Sequence, residues 1–317
     1  MLDFLKQIQE MPPFGFWLGI GLFSLLGFAC FQDFFRNLTK ASLFKNTPLS
    51  KIRSAAQGYL QLQGKTQALT PLVAPLSGKP CCFYEYEIKY ENQYGDKKEW
   101  TTLDEARSDN FFLLKDETGE CIICPTGAEV VFETNSWTSE TIPESYFNNT
   151  GKTKNNLSFL TTKKYQFTEK YLSENESLNV IGFFKTVLKT EKNIFTGDSL
   201  PPEIRKDQDF LKKIPQPSSK LAAALNSAVP FLNQQWNALC ENHVNLFNNS
   251  DTKTTQETIN LISFLNIEKR PFLLSTRATK STQTYFYYKA ILVIVIAFFS
   301  GLIVAIAFLM RFFPFLF

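Results

Sequence analysis

The sequence predicts an α+β membrane protein. A β-rich soluble domain, folded as a small antiparallel sheet or barrel, is expected between two transmembrane helices and carries a helical insertion. Three observations support this. One long apolar stretch lies near each end of the 317-residue chain, alternating apolar and polar residues recur between the two stretches, and an Ala-rich stretch with helical spacing follows the alternating segments.

The C-terminal apolar stretch, residues 290–310, contains no charged residue, no proline and no amide side chain. At about 1.5 Å per helical residue it spans roughly 30 Å, the hydrocarbon thickness of a bilayer. Lys289 and Arg311 bracket the stretch, and tyrosines precede it, as is typical of membrane interfaces. A buried core helix of this length would be expected to contain polar residues, so a transmembrane helix is predicted.

The N-terminal apolar stretch, residues 12–32, starts with two prolines and includes Trp17. Prolines are common in the first turn of a helix, and tryptophan is enriched at membrane interfaces. A cleaved signal peptide and a lipoprotein signal ending at Cys30 are the alternatives. The basic region before the stretch is only Lys6, the small-residue cleavage pattern is missing, and Gly27 replaces the usual leucine. An uncleaved anchor is therefore the preferred interpretation.

Basic residues predict the orientation. Those next to the central region outnumber those beyond the two apolar stretches, where Lys6 and Arg311 lie. The positive-inside rule then places the central domain in the cytoplasm and both termini across the membrane. Six cysteines in a chain of this length do not form a disulfide framework, and the adjacent Cys81 and Cys82 cannot easily pair, which also suits a reducing compartment.

The central region predicts a β-rich core of about seven short strands or more. Alternation over residues 58–69 predicts a hairpin or a bulged strand, and residues 82–94 are rich in aromatic residues and predict a clear strand. A turn with Gly119 separates two apolar runs, which predicts another hairpin. Further strands are expected at residues 129–133, 165–172, 179–188 and 271–275.

Residues 46–57 read as a short basic helix near the membrane, and residues 219–245 as a helix that Pro230 kinks or splits. A short helix is also predicted at residues 258–265. The predicted organisation is a tail (1–11), transmembrane helix 1 (12–32), a juxtamembrane basic helix (33–57), the β-rich domain (58–189), a helical insertion (190–270), a return strand and linker (271–289), transmembrane helix 2 (290–310) and a tail (311–317).

Catalytic motifs are not evident. Cys121 and Cys124 form the one pair with metal-ligand spacing, but residues three apart on a strand point to opposite faces. Two buried strand cysteines are therefore predicted rather than a metal site or a redox pair. His243, the single histidine, has no nucleophile motif nearby, and a net charge of +3 gives no reason to expect nucleic acid. No cofactor and no metal are predicted.

The central region resembles the GIDE domain, also called the beside-a-membrane domain, of membrane-anchored mitochondrial ubiquitin ligases and of many prokaryotic membrane proteins. Four stretches carry the resemblance: residues 71–87 (PLVAPLSGKPCCFYEYE), 111–130 (FFLLKDETGECIICPTGAEV), 165–183 (YQFTEKYLSENESLNVIGF) and 271–281 (PFLLSTRATKS). The chain departs from the family where Cys124 replaces an aspartate and where residues 190–270 exceed the usual length.

The resemblance implies ubiquitin-protein transferase activity. Ligase members of the family carry a RING after the second helix, and a RING holds two zinc ions with eight Cys and His ligands. The chain contains six Cys and one His. A non-catalytic binding or scaffold module at the membrane surface is therefore the preferred interpretation, and ubiquitin transfer, with a RING supplied by a partner, is the alternative.

The lipid bilayer and a protein of unknown identity are the predicted partners. Exposed sheet edges and the Pro-rich loop at residues 71–80 are the surfaces expected to recruit a protein. The predicted binding residues are Pro75, Leu76, Ser77, Gly78, Pro80 and Trp100. A purely structural turn is the alternative for the loop.

Overall fold

A computed structural model describes residues 12–94, 97–152, 164–188, 232–237, 258–263 and 270–312. The chain divides into a helical unit, formed by residues 1–47 and 278–317, and a central unit, residues 48–277. Most of the predicted insertion, including Pro230 and His243, lies outside the described residues. The helices are α1 (Pro13–Asn46), α2 (Glu144–Thr150) and α3 (Thr279–Phe312); the strands are β1 (Leu49–Ser50), β2 (Gly58–Ala68), β3 (Phe83–Tyr94), β4 (Lys97–Arg107), β5 (Phe112–Lys115), β6 (Glu120–Ile123), β7 (Glu129–Val131), β8 (Asn135–Ser139), β9 (Tyr165–Leu172), β10 (Ser177–Leu188), β11 (Thr258–Ser263) and β12 (Leu273–Ser275).

The helical unit is an antiparallel pair of 34-residue helices, α1 and α3. Phe44 stacks on Phe286 with ring centroids 6.1 Å apart, and the Ser300 hydroxyl donates a hydrogen bond to the Phe23 carbonyl over 2.6 Å. Gly27 makes room for this contact, since a Cβ there would lie 3.4 Å from the Ser300 oxygen. Small residues allow close helix approach of this kind in membranes.

Both long helices are apolar enough to cross a membrane, and in each only 6% of the apolar window is buried within the protein. A core helix of a soluble protein would bury its apolar face, so the pair fits a membrane protein. Each helix is also longer than the apolar stretch that predicted it. Toward the ends that join the central unit, α1 continues 14 residues past residue 32 and α3 begins 11 residues before residue 290, which is roughly 16 to 21 Å of helix.

The central unit contains a closed barrel of five strands. β2 pairs with β5, β5 with β6, β6 with β11, β11 with β10, and β10 with β2 again. All pairings are antiparallel except β6 with β11. β12 joins β10 beside β11, and β7 follows β12 at the edge. The barrel alternative of the predicted fold is thus the one found.

The barrel interior is apolar and tightly packed. Alternation on β2 places Leu60 and Leu62 inside. Gly182 on β10 faces Phe272, and a Cβ at this glycine would lie 2.6 Å from the ring. The other buried interior side chains include Phe112, Leu114, Ile123, Leu178, Val180, Phe184, Ile262 and Leu274. Outside the barrel, β5, β6 and β11 are covered by the helical residues 232–237, whose Trp236 is fully buried.

A second, four-stranded antiparallel sheet has the order β4-β3-β9-β8. β3 begins at the barrel and β9 ends there, because Phe83, the first residue of β3, and Leu172, the last residue of β9, belong to the barrel core. Farther along, one face of the sheet is covered by α2 and by the loop before β3, and Tyr86, Tyr146 and Phe167 form the packed layer between them. This second sheet and its cover position the candidate site described below.

Two expectations were wrong. Residues 258–263 are strand β11 rather than helix: Ile259 and Leu261 face the outer cluster, whereas Ile262 faces the barrel core. A short apolar run fits both periods, and pairing with β6 and β10 decides between them. Residues 47–57 form β1 and one 3-10 turn rather than a helix, because Thr47 precedes Pro48 and adopts an extended conformation.

The segments with alternating apolar and polar residues are confirmed as strands. Of the two alternatives for residues 58–69, a hairpin or a bulged strand, the strand is found, and it is continuous over residues 58–68. β9 and β10 are joined by the acidic turn at residues 173–176 and lie in different sheets. Asn175 in that turn has φ 58°, a left-handed conformation that asparagine tolerates. The hairpin of β5 and β6 and the last strand, β12, are confirmed.

Candidate binding loop on the second sheet

The loop at residues 71–80 is closed on itself by backbone hydrogen bonds. Val73 and Pro80 form a β-bridge, and the Ala74 N–H donates to the Lys79 carbonyl over 2.8 Å. The Gly78 N–H donates to the Ala74 carbonyl over 2.9 Å. Gly78 has φ +69°, a conformation that a side chain would disfavour. The loop therefore has a defined shape rather than that of a loose linker.

A buried carboxylate holds the loop from beneath. Alternation along β9 places Tyr165, Phe167 and Glu169 on the covered face of the sheet, and Glu169 has no exposed surface. Its carboxylate accepts hydrogen bonds from the Leu76 N–H at 2.8 Å and the Ser77 N–H at 3.1 Å. Because a buried charge is tolerated only when hydrogen-bonded, Glu169 and the loop depend on each other.

Helix α2 holds the loop from the other side. The Ser145 hydroxyl donates a hydrogen bond to the Leu76 carbonyl over 2.6 Å. At Leu76, therefore, Glu169 satisfies the backbone donor and Ser145 the backbone acceptor. The Leu76 side chain is 3% exposed and packs in the layer between α2 and the sheet.

An aspartate and two tyrosines fix α2 to the sheet. The Asp104 carboxylate accepts hydrogen bonds from the hydroxyls of Tyr86 (2.9 Å) and Tyr146 (2.7 Å), and it pairs with Lys152 at 2.7 Å. Burial opposes ionisation of Asp104, but the hydrogen bonds from Lys152, Tyr146 and Tyr86 outweigh it and lower the pKa of the carboxyl group. Burial and the bond to Asp104 raise the pKa of both tyrosines, so they stay protonated donors.

The predicted binding residues separate into three groups. Pro75 and Leu76 are buried and serve to hold the loop. Ser77, Gly78 and Pro80 are exposed and form, together with Lys79, the tip of the loop. Trp100, although 40% exposed, pairs with Glu91 on β3.

Trp100 lies away from the loop. The loop meets β9 at Glu169, which pairs with Tyr86 on β3, whereas Trp100 pairs with Glu91. Tyr86 and Glu91 are five residues apart on one strand, or about 17 Å. The structure thus brings the loop residues together and places Trp100 at a separate position on β4.

Lys79 supplies the tip with a fixed positive charge. Its ammonium donates a hydrogen bond to the Tyr171 hydroxyl over 2.9 Å and lies 5.2 Å from the centre of the same ring. The hydrogen bond raises the pKa of Lys79, so the tip is cationic at neutral pH. Lys79, like Glu169 and Ser145, was missed from sequence. An acidic residue on the apolar face of an alternating strand was the available signal for Glu169.

Cys121 and Cys124 do not converge. Cys121 belongs to the barrel core, whereas Cys124 belongs to the cluster outside the barrel wall. Burial raises the pKa of both thiols, that of Cys124 to about 12, so neither is a thiolate at neutral pH. Across the described parts of the chain, no group of three or more His, Cys, Asp and Glu could hold a metal ion.

A cleft of about 460 Å³ between β1 and β5 has three lysines on its rim. Two of these cations are paired, Lys51 with Glu117 and Lys115 with Glu120, and the third is Lys65. Because acidic side chains share the rim, the cleft does not concentrate positive charge as an anion site would.

Part of the central unit matches a known protein family. Residues 84–192 match the family model GIDE, described as E3 Ubiquitin ligase. The central unit carries a GIDE domain. The matched GIDE segment includes Asp104, Ser145 and Glu169 but starts after the loop at residues 71–80. Searches of curated proteins and of solved structures found no match to the chain.

Proposed function

We propose that the protein is a two-pass membrane protein whose GIDE domain is a non-catalytic binding module that recruits a protein partner at the membrane surface. The observation that carries the proposal is the presentation of the loop tip, Ser77 to Pro80. Its side chains are exposed, while the backbone beneath is hydrogen-bonded to the buried Glu169 and to Ser145. A preorganised loop loses little conformational freedom when a partner binds.

The partner contacts the tip through its cation and its small residues. Lys79 is held by Tyr171, so an acidic group on the partner meets a charge that is already positioned. Ser77 offers a hydroxyl, and Gly78 permits close backbone approach. Trp100, on β4 about 17 Å away along the strand direction, belongs to a second contact if the partner is large.

A photo-crosslinking amino acid at Ser77 tests the proposal in membranes that contain the full chain. Thr138, exposed on β8, is the matched control position. We expect a discrete adduct from Ser77 and none from Thr138, and we expect Glu169→Ala to abolish the adduct by releasing the loop. Identical adducts from both positions, or an adduct that is insensitive to Glu169→Ala, would contradict a binding role for the tip.

The second candidate is E3 ubiquitin transfer, which the description of the GIDE family favours. The chain offers six Cys and one His, one fewer than the eight ligands of a RING, and Cys121 and Cys124 lie on opposite sides of the barrel wall. Transfer would therefore require RING zinc ligands that these residues do not supply. Two zinc ions per chain together with ubiquitin-chain formation by the purified protein would favour this candidate over the binding module.

The GIDE domain is proposed to lie in the cytoplasm, with both chain ends across the membrane. The excess of basic residues next to the central unit supports this orientation. Cys81, Cys82, Cys121 and Cys124 are buried and cannot report it. A cysteine introduced at the exposed Thr138 can. Labelling of Thr138→Cys by an impermeant maleimide only after cells are opened is expected, and labelling in intact cells would reverse the orientation.

A further inference from the structure

The described helical unit concentrates positive charge at one end. Among residues 12–47 and 278–312, Asp33 is the single acidic residue. Five basic residues lie at the end that joins the central unit: Arg36, Lys40, Lys45, Lys280 and Lys289. At the opposite end of the described pair, Arg311 is the one cation, and it lies over the Phe16 ring at 5.1 Å.

Three of these cations lie at nearly the same height on the helix pair. Lys40 of α1 lies 5.7 Å from the Phe286 ring of α3, which sets the register between the helices. Lys289 is three residues from Phe286 in the direction of the apolar stretch, and Arg36 is four residues from Lys40 in the same direction. At 1.5 Å per residue, the three side chains start within about 6 Å of one another along the axis. Arg36, Lys40 and Lys289 are called the basic ring below.

The basic ring coincides with the edge of the apolar stretches. Lys289 directly precedes residue 290, where the apolar stretch of α3 begins, and Arg36 follows the exposed Phe35. Tyr288, 69% exposed, lies beside Lys289, and tyrosine is enriched at the depth of lipid headgroups. Lys45 and Lys280 lie farther from the apolar stretches. The basic ring is therefore at headgroup depth when the pair spans a bilayer.

The excess of positive charge indicates which kind of lipid binds at the basic ring. Arg36 pairs with Asp33 at 3.3 Å, but both side chains are more than half exposed, so this pair leaves donors of the guanidinium available to phosphate. The five cations exceed the single acid by four charges. A zwitterionic lipid carries its own ammonium beside its phosphate, whereas an anionic phospholipid offers uncompensated charge. Juxtamembrane clusters of four or more cations bind such lipids.

We propose that the basic ring binds the headgroups of anionic phospholipids and selects them from the bilayer around the helix pair. The proposal rests on the two-pass insertion proposed above and is independent of the binding role of the loop tip. Arg36 grips a lipid phosphate through paired N–H groups, and Lys40 and Lys289 add charge at the same depth. The selection weakens as salt concentration rises, because exposed charges are screened.

Competition between two lipids tests the proposal. The purified full chain is equilibrated with an equimolar mixture of phosphatidylglycerol and phosphatidylcholine, and the retained lipids are counted by native mass spectrometry. We expect the wild-type chain to retain an excess of phosphatidylglycerol. Each ring cation contributes about 1 kcal/mol near an anionic surface, or about fivefold in this preference, so replacing all three removes most of it.

The variant Arg36→Gln/Lys40→Gln/Lys289→Gln carries the test, and Arg53→Gln/Lys65→Gln/Lys98→Gln is the control with the same charge loss on the central unit. The control is expected to keep the wild-type preference. Equal retention of both lipids by the wild-type chain, or equal loss in both variants, overturns the proposal. Release of the wild-type chain from membranes at alkaline pH instead contradicts the insertion itself, so the two failures are distinguished.

Discussion

Replacing Glu169 with alanine removes the acceptor that holds the loop at residues 71–80. In the native structure the carboxylate receives the Leu76 N–H at 2.8 Å and the Ser77 N–H at 3.1 Å, and it is fully buried. A hydrogen bond to a charged group contributes about 1.5–3 kcal/mol, and a buried donor without a partner carries a further cost. We therefore expect Glu169→Ala to lower the free energy of unfolding by about 4 kcal/mol.

The expected loss is large enough to measure by thermal unfolding of the full chain in detergent. For a unit the size of residues 48–277, each kcal/mol corresponds to about 2–4 °C, so the melting temperature should fall by on the order of 10 °C. Amide hydrogen exchange provides a local measurement. The N–H groups of Leu76 and Ser77 should lose protection far more than those of the barrel strands.

Glu174 supplies the matched control. It is also a glutamate that accepts a backbone N–H, from Ala68 at 3.1 Å, but it is exposed. Water replaces a lost acceptor there, so Glu174→Ala should cost less than about 1 kcal/mol. If Glu169→Ala and Glu174→Ala were equally mild, or if Leu76 kept its protection in Glu169→Ala, the loop would not depend on the buried carboxylate.

Three further predictions concern the tyrosine–aspartate contact, the barrel and the helix pair. Because folding lowers the pKa of Asp104, its ionised carboxylate stabilises the fold fully at pH values above the unfolded-state pKa near 4. This stabilisation disappears as the pH falls through the folded-state pKa. The melting temperatures of wild type and Asp104→Asn should therefore differ at pH 6 and converge toward pH 2. Gly182→Ala should lower the free energy of unfolding, measured in urea, by about 1–3 kcal/mol, because the new Cβ meets the Phe272 ring. Adding Phe272→Leu should recover part of this loss. Equal losses with and without Phe272→Leu would count against the clash. Ser300→Ala should weaken the association of the two helices by about 0.6 kcal/mol, because the hydrogen bond to the Phe23 carbonyl is lost. The yield of cysteine cross-linking between the helices measures this, and an unchanged yield would show that packing alone holds them together.

The sequence predicted the parts of the fold that depend on local patterns. The apolar stretches near the two ends mark α1 and α3, and alternation marks β3, β5, β6, β9 and β10. It did not predict β11, because six residues of mixed apolar and polar character fit a helix as well as a strand. Only the partners β6 and β10, at least 70 residues away in the chain, decide for the strand.

The candidate loop was predicted as a surface, but its support was not. Pro75 and Gly78 mark a turn locally, whereas the hydrogen bond from Leu76 to Glu169 joins residues 93 positions apart. The resemblance to the GIDE family placed the loop and the strand with Glu169 in separate motifs, and only the fold shows that the two motifs meet. Trp100 was grouped with the loop because it follows the 71–87 motif at about the spacing usual in the family, and spacing along the chain carries no information about distance along a sheet.

The parallel pairing of β6 with β11 has a consequence for the order of events during synthesis. β6 ends at Ile123, and β11 begins only at Thr258. Until those later residues leave the ribosome, the wall between β6 and β10 is an open gap with unpaired backbone groups, and the apolar interior is accessible there. Since α3 follows β12 almost at once, closure of the barrel and entry of the second helix into the membrane fall in the same short interval. A pause in synthesis between residues 188 and 258 would therefore leave an aggregation-prone intermediate with an exposed strand edge.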